Sequence, residues 1–160
     1  SYYEKANKLL DYYSNKYSAE IVVATHPKAD FEYTQSMFKF KVVQGNTVEM
    51  VAKSDYVFSY SSTAAQYAAL FRKPIIFYSS HIDGYSLAHK WFFYFETKAF
   101  ANAFGAKHIV LEDILDDPPS LLWSIDDLKY DQYIKNYIKS LGSVEDYSWN
   151  IISSFLKNDI

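Results

Sequence analysis

Between Asp55 and Tyr78 the chain reads Asp-Tyr-Val-Phe-Ser-Tyr-Ser-Ser-Thr-Ala-Ala-Gln-Tyr-Ala-Ala-Leu-Phe-Arg-Lys-Pro-Ile-Ile-Phe-Tyr, and no other stretch constrains the fold as tightly. A β-rich run from Tyr56 to Ser59 is followed by a hydroxyl-rich turn, Tyr60 to Thr63. An Ala-rich segment from Ala64 to Arg72 suits a helix, and after Pro74 a second apolar run, Ile75 to Tyr78, suits a strand. Strand, helix and strand in that order and at that spacing make one βαβ unit, whose two strands must be parallel. A helix that follows a strand presents unpaired N–H groups at the carboxyl edge of the sheet, where anions collect. Thr63-Ala-Ala-Gln66 has capping-box spacing, so Thr63 is expected to cap the helix and leave the hydroxyls of Ser61 and Ser62 facing a phosphate. The alternative is that all three hydroxyls only satisfy the turn and the helix start.

Alternation continues on both sides of this unit. Tyr2, Ala6, Leu9, Leu10, Tyr13 and Tyr17 recur at helical spacing. Glu20 to Ala24 is a β-branched run expected to be a strand buried on both faces, stopped at Pro27 so that His26 stands at its carboxyl end. Lys28 to Ser36 is polar and reads as loop, with room for one helical turn; Phe38 to Val43 reads as a short strand. Gly45-Asn46-Thr47-Val48-Glu49 supplies a turn, an N-cap and a Glu at the third helical position, which predicts a helix from Thr47 to Lys53. Leu87 to Phe104 is a further helix closed by Gly105, and Lys107 to Leu111 is the last strand. The order predicts an α/β fold: one open, mostly parallel, Rossmann-like sheet with helices on both faces. Parallel strands would bring the exits at His26, at the Ser61 turn and at the Ser79 to Tyr85 loop to one edge.

Three segments leave alternatives open. Trp91-Phe-Phe-Tyr-Phe95 covers every side of a helix, so that helix is either buried on several sides or offers a surface to a partner domain or a lipid-linked acceptor. The acidic run Glu112 to Asp117, with Pro118 and Pro119 behind it, reads as a loop rather than a metal site. At the end, Tyr130, Tyr133, Ile134, Tyr137, Ile138 and Leu141 form one helical stripe; Ile151, Ile152, Phe155 and Leu156 form a second beyond Gly142-Ser143.

Composition narrows the function. The 160 residues suit one domain, and a net charge of -3 offers no basic footprint for nucleic acid. There is no cysteine, hence no disulfide framework and no thiolate metal site. No apolar run is long enough to span a bilayer. Because the chain starts at Ser1 inside a helical pattern, it reads as a domain excised from a longer protein. The dinucleotide fingerprint G-x-G-x-x-G and the Walker A motif are both absent.

With His26-Pro27 and Ser59-Tyr-Ser-Ser-Thr63 in view, the chain resembles the C-terminal, nucleotide-binding half of GT-B-type transferases that build bacterial surface polysaccharides. One similar group comprises the His-Pro-motif sialyltransferases and Kdo transferases, which use CMP-sugars. The other comprises the CDP-glycerol glycerophosphotransferases, whose Asp-Tyr-Ser-Ser and Lys-Pro-Ile-Ile-Phe patterns are echoed by Ser59-Tyr-Ser-Ser62 and Lys73-Pro-Ile-Ile-Phe77. Ser59 stands where that second group has Asp, which favours the sugar transferases. The match runs from about Ile21 to Tyr85.

The resemblance implies that His26 stabilises or protonates the leaving phosphate, with Pro27 beside it, while Ser61, Ser62 and Thr63 donate hydrogen bonds to the same group. Tyr60, Gly45 and Asn46 are lesser candidates for the base and ribose. It further implies a nucleotide-activated donor, CMP- or CDP-linked, with no cofactor and no obligatory metal. The partners would be an N-terminal domain of the same protein and a glycan or lipid-linked acceptor, and the location would be cytoplasmic, at the periphery of the inner membrane. In such enzymes the acceptor and usually the catalytic base come from the N-terminal domain, so these residues alone are expected to bind nucleotide weakly and turn over nothing. A flavodoxin-like regulatory or interaction module is the reading from a different class.

Overall fold

The computed structural model describes residues 1–60, 62–81, 87–139 and 142. Helix α1 (Tyr2–Tyr17) opens with a complete capping box: Ser1 accepts from the Glu4 N–H and the Glu4 side chain returns to Ser1. Strand β1 (Val22–Thr25) leads through a turn to α2 (Phe31–Met37), then to β2 (Lys41–Gln44) and α3 (Thr47–Lys53). Next come β3 (Val57–Ser59), a 3₁₀ turn (Thr63–Ala65), α4 (Gln66–Leu70) and β4 (Ile75–Ser79). Helix α5 (Leu87–Phe104), β5 (Lys107–Val110), α6 (Leu111–Ile114) and α7 (Asp127–Tyr133) follow, and α7 runs on into a π-helical turn, Ile134–Ile138.

The fold is α/β with parallel strands, but the described strands form two small sheets instead of one: β1 pairs with β2, and β3-β4-β5 make a three-stranded sheet. The apolar run of β4 splits its side chains between two faces, as a strand's twofold alternation requires. Ile75 and Phe77 pack with Ala65, Ala68 and Ala69 near α4, Ala101 and Phe104 of α5, and Tyr130 and Tyr133 of α7. Ile76 and Tyr78 pack instead with Ala6, Leu9 and Tyr13 of α1 and with Phe58 and Ile109. Helices therefore cover both faces of the three-stranded sheet. Alanine at positions 68 and 69, both fully buried, lets α4 lie close on β4.

Several expectations are corrected. The first strand is not buried on both faces; its residues alternate between exposed and half-buried, with Val22 39% exposed. Its β-branched residues supply strand propensity, whereas burial depends on neighbours, and β1 has β2 alone beside it among the described strands. The polar segment after Pro27 holds more than one helical turn: Asp30 accepts the Tyr33 N–H at 3.0 Å and starts the seven-residue α2. That helix has no buried residue, so no apolar stripe announces it. Asn46 holds the N-cap position of α3 at φ 52 without a side-chain cap, and Glu49 pairs with Lys53 instead. The acidic run is not all loop, because Glu112 belongs to α6.

In the aromatic run of α5, Trp91, Phe92 and Phe95 are exposed while Phe93 and Tyr94 are half-buried. The exposed three share a face with Lys98, Ala99 and Asn102, opposite the buried Thr97, Ala101 and Phe104. Among the described residues no helix is long and apolar enough to cross a membrane. Leu141, Ser143 and the second closing stripe lie outside the described residues.

Candidate functional site

The exits of β1, β2 and β3 carry the candidate residues, and α1 shows how the strands are oriented. Its first turn touches the exit side of the three-stranded sheet: Tyr2 lies 5.5 Å from Tyr60 between ring centroids, its hydroxyl lies 3.1 Å from that of Tyr78, and Lys5 reaches Glu112. Its last turns touch the opposite edge, where Tyr13 donates to Pro119 O and Tyr17 packs on Trp123, which in turn packs on Tyr56 just before β3. The strands of the three-stranded sheet therefore point their carboxyl ends toward the start of α1. The same helix also packs beside the other sheet. Tyr3 meets both Tyr33 in the first turns of α2 and Phe38 just after its end, and Asn7 and Asp11 bond Met37 and Lys39 just before β2 begins.

At the β1 exit, His26 and Pro27 form a β-turn closed by the Ala29 N–H donating to the His26 carbonyl at 2.9 Å, with Pro27 at the position where proline is favoured. His26 is exposed, and its Nδ1 accepts the Lys28 N–H at 3.0 Å. An accepting Nδ1 places the ring hydrogen of the neutral imidazole on Nε2. The amide of Gln44, at the end of β2, ties the turn down by donating to the carbonyls of His26, Pro27 and Ala29 at 2.9 to 3.2 Å. Gly45 and Asn46 follow directly, both left-handed at φ 79 and φ 52. His26, Pro27, Gly45 and Asn46 thus share one edge, since Thr25 is in register with Gln44.

At the β3 exit the hydroxyls are used differently from the expectation. Ser62, not Thr63, takes the cap position, accepting the Ala64 N–H at 3.2 Å. Thr63 is exposed and is the first residue of the 3₁₀ turn, so the Thr63/Gln66 capping box is not formed. The tighter 3₁₀ start shifts the cap one residue toward the strand. Ser61 lies outside the described residues. Ser59, on the α4 side of β3, is buried with a hydroxyl that has no hydrogen-bond partner among the described residues. Tyr60 packs on Tyr2, Tyr78 and Phe93. Among the described residues no hydrogen bond joins the His26 turn to the Ser62 turn; the link between them runs from Tyr60 through Tyr2 and Tyr3 to Tyr33.

The exits of β4 and β5 hold residues that the sequence did not single out. Ser79 Oγ lies 3.0 Å from His108 Nε2, and the Tyr94 ring meets the imidazole edge-on at 5.1 Å. Burial, with the Lys98 ammonium as a second cause, holds His108 below the ordinary histidine pKa, so the ring is neutral. Glu112 accepts from Ser80 Oγ at 2.7 Å, from the His81 N–H at 3.0 Å and from Lys5 Nζ at 3.3 Å. Burial opposes its charge, yet these donors together hold the carboxyl below the usual range. The loop beyond His81, residues 82–86, lies outside the described residues.

A small, shallow cleft sits at the other edge of the sheet, lined by Ile75, Lys107, Tyr56, Gly105 and Asp126. It opens at the strand entrances, where none of the candidate residues lies. Among the described residues no group of three His, Asp or Glu side chains is placed to hold a metal ion. Comparison with family models, with curated proteins and with solved structures gives no match.

Proposed function

We propose that the chain is the donor-binding domain of a GT-B-like glycosyltransferase of bacterial surface polysaccharide synthesis, taking a CMP-activated sugar. The observation that supports this reading is that Tyr60, beside the Ser62 turn, and Tyr33, in the helix that follows the His26 turn, are linked through Tyr2 and Tyr3 of the first turn of α1. His26 would give its Nε2–H to the phosphate that leaves the sugar, and the turn at Ser62 would contribute hydroxyl and backbone donors as charge develops there. An acceptor hydroxyl would attack the anomeric carbon, the bond to the phosphate oxygen would break, and CMP would depart. Acceptor and catalytic base would come from a second domain, so the isolated chain binds without turnover. Calorimetry with CMP and with CDP-glycerol tests this. Saturable CMP binding with no response to CDP-glycerol is expected; a preference for CDP-glycerol would transfer the reading to CDP-polyol phosphotransfer, and binding of neither would defeat both.

One observation favours a non-catalytic flavodoxin-like module. The His26 turn and the Ser62 turn belong to different sheets and share no hydrogen bond among the described residues. On that reading His26→Ala and Ser62→Ala leave every ligand-linked stability change untouched.

A further inference from the structure

Glu112 sits where a bound anion would. Its carboxylate draws on three donors from two other elements: a backbone N–H from His81, a hydroxyl from Ser80 and an ammonium from Lys5 of α1. A hydroxyl and an ammonium on one oxygen and an N–H on the other make a donor set of the kind proteins assemble for phosphate, which like carboxylate is an oxyanion and takes charge-assisted hydrogen bonds. The position is sheltered, with the Glu112 and Lys5 side chains 16% and 23% exposed. It also lies at the carboxyl edge of a parallel sheet, where such folds bind ligands. In the sheet order β3-β4-β5 this corner begins at the strand beside β3, and neighbouring strands are about 4.8 Å apart. A ligand whose second phosphate were directed from the β3 exit toward β4 would find the donors of the β4 exit already taken.

We propose that Glu112 is a built-in anion: its carboxylate fills an oxyanion position at the exits of β4 and β5. In the donor-binding reading above, on which this last step rests, it restricts the rim to a donor carrying one phosphate. The pairing also ties the first turn of α1 to the sheet, and an isosteric amide at position 112 keeps the corner filled while removing the charge.

The first experiment needs no nucleotide. Thermal unfolding of the wild type, Glu112→Gln and Glu112→Ala is followed in inorganic phosphate and in sodium chloride of matched ionic strength. Phosphate is expected to raise the melting temperature of Glu112→Ala by about 2–4 °C over chloride, the shift for about 1 kcal/mol in a domain of this size. Wild type and Glu112→Gln are expected to show only the smaller salt effect common to all three proteins, since phosphate also stabilises folded chains as an excluded ion. Folded Glu112→Ala that ignores phosphate, or a wild type that responds as strongly as the variant, overturns the proposal. If Glu112→Ala and Glu112→Ser unfold in chloride, recovery of the fold in phosphate supports it and failure in both salts overturns it. The second experiment is calorimetry with CMP and CDP. Wild type is expected to bind CMP about tenfold more tightly than CDP, and Glu112→Ala to lose that preference, a difference of about 1.4 kcal/mol. Equal affinities in the wild type overturn the one-phosphate restriction; binding of neither nucleotide defeats the donor-binding reading, while the phosphate experiment still decides whether Glu112 is a built-in anion.

Discussion

Ser79 Oγ lies 3.0 Å from His108 Nε2, joining the neighbouring strands β4 and β5 on the face covered by α5. Ser79 is 2% exposed, so the pair is a structural bond in the interior rather than an accessible nucleophile with its base. Burial first, and the Lys98 ammonium second, keep the imidazole neutral by lowering its pKa. The unfolded chain then takes up a proton at the ordinary histidine value of about 6.5, before the folded one does. The resulting stability is complete above that value and is lost as pH falls through it toward the folded pKa. Melting temperatures between pH 5 and 8 are expected to drop on the acid side, and His108→Gln to flatten that drop. An unchanged slope in the variant would remove His108 as the cause.

Gly105 ends α5 at φ +64, with the Ala106 N–H donating to Ala101 O at 2.8 Å and the Gly105 N–H to Asn102 O at 3.2 Å. This closes the helix as a Schellman motif. A Cβ at position 105 would meet the Asp126 Cβ and Lys129 Cδ at 3.0 Å, at the start of α7. Gly105→Ala therefore adds crowding to the left-handed cost of about 1–2 kcal/mol. Urea unfolding is expected to show a loss of at least that size with an unchanged slope; a neutral result would mean that the α5/α7 junction yields.

Tyr13 of α1 is 1% exposed and its hydroxyl donates to the Pro119 carbonyl at 2.7 Å. Burial, seconded by neighbouring tyrosines, pushes its pKa well above the ordinary tyrosine range, so it remains a donor at all physiological pH values. Tyr13→Phe keeps the ring and deletes the bond, for an expected cost of about 1 kcal/mol, against about 3–5 kcal/mol for Tyr13→Ala. Equal losses in the two variants, measured by denaturant unfolding, would show that the hydroxyl rather than the ring holds α1 on the sheet.

What was legible in the sequence was whatever local pattern decides. The βαβ unit shows because a β-rich run, alanines and a Lys-Pro boundary adjoin in the chain, and α5 shows because Gly105 marks its end. The burial of β1 was not legible, because it depends on which strand lies beside it. Helix α2 was hidden by its lack of a buried face, and the shift of the cap from Thr63 to Ser62 follows from a 3₁₀ start that Ser/Thr spacing does not distinguish. Glu112 was read as one acid in a loop because its role depends on Lys5, 107 residues away in the chain. The exposed Trp91, Phe92 and Phe95 were ambiguous for a related reason, since five aromatics in a row carry no period from which to read a face.

His26 and Ser62 offer the sharpest separation between nucleotide binding and a purely structural role. The His26 Nδ1 bond to the Lys28 N–H belongs to an exposed turn that the Gln44 amide also holds at three carbonyls, so His26→Ala is expected to cost little stability. Ser62→Ala removes a cap and is expected to cost about 1 kcal/mol. If the imidazole donates from Nε2 to a phosphate, its loss removes a hydrogen bond to a charged group worth about 1.5–3 kcal/mol, which weakens CMP binding by at least about tenfold. His26→Asn retains a side-chain N–H and is expected to recover part of that affinity; Gln44→Ala, which loosens the turn without touching the ring, is expected to weaken CMP binding less. Calorimetry on the four variants checks this order. CMP affinities that stay equal to wild type in both His26 variants would take the nucleotide away from the β1 exit and leave His26-Pro27 as a turn.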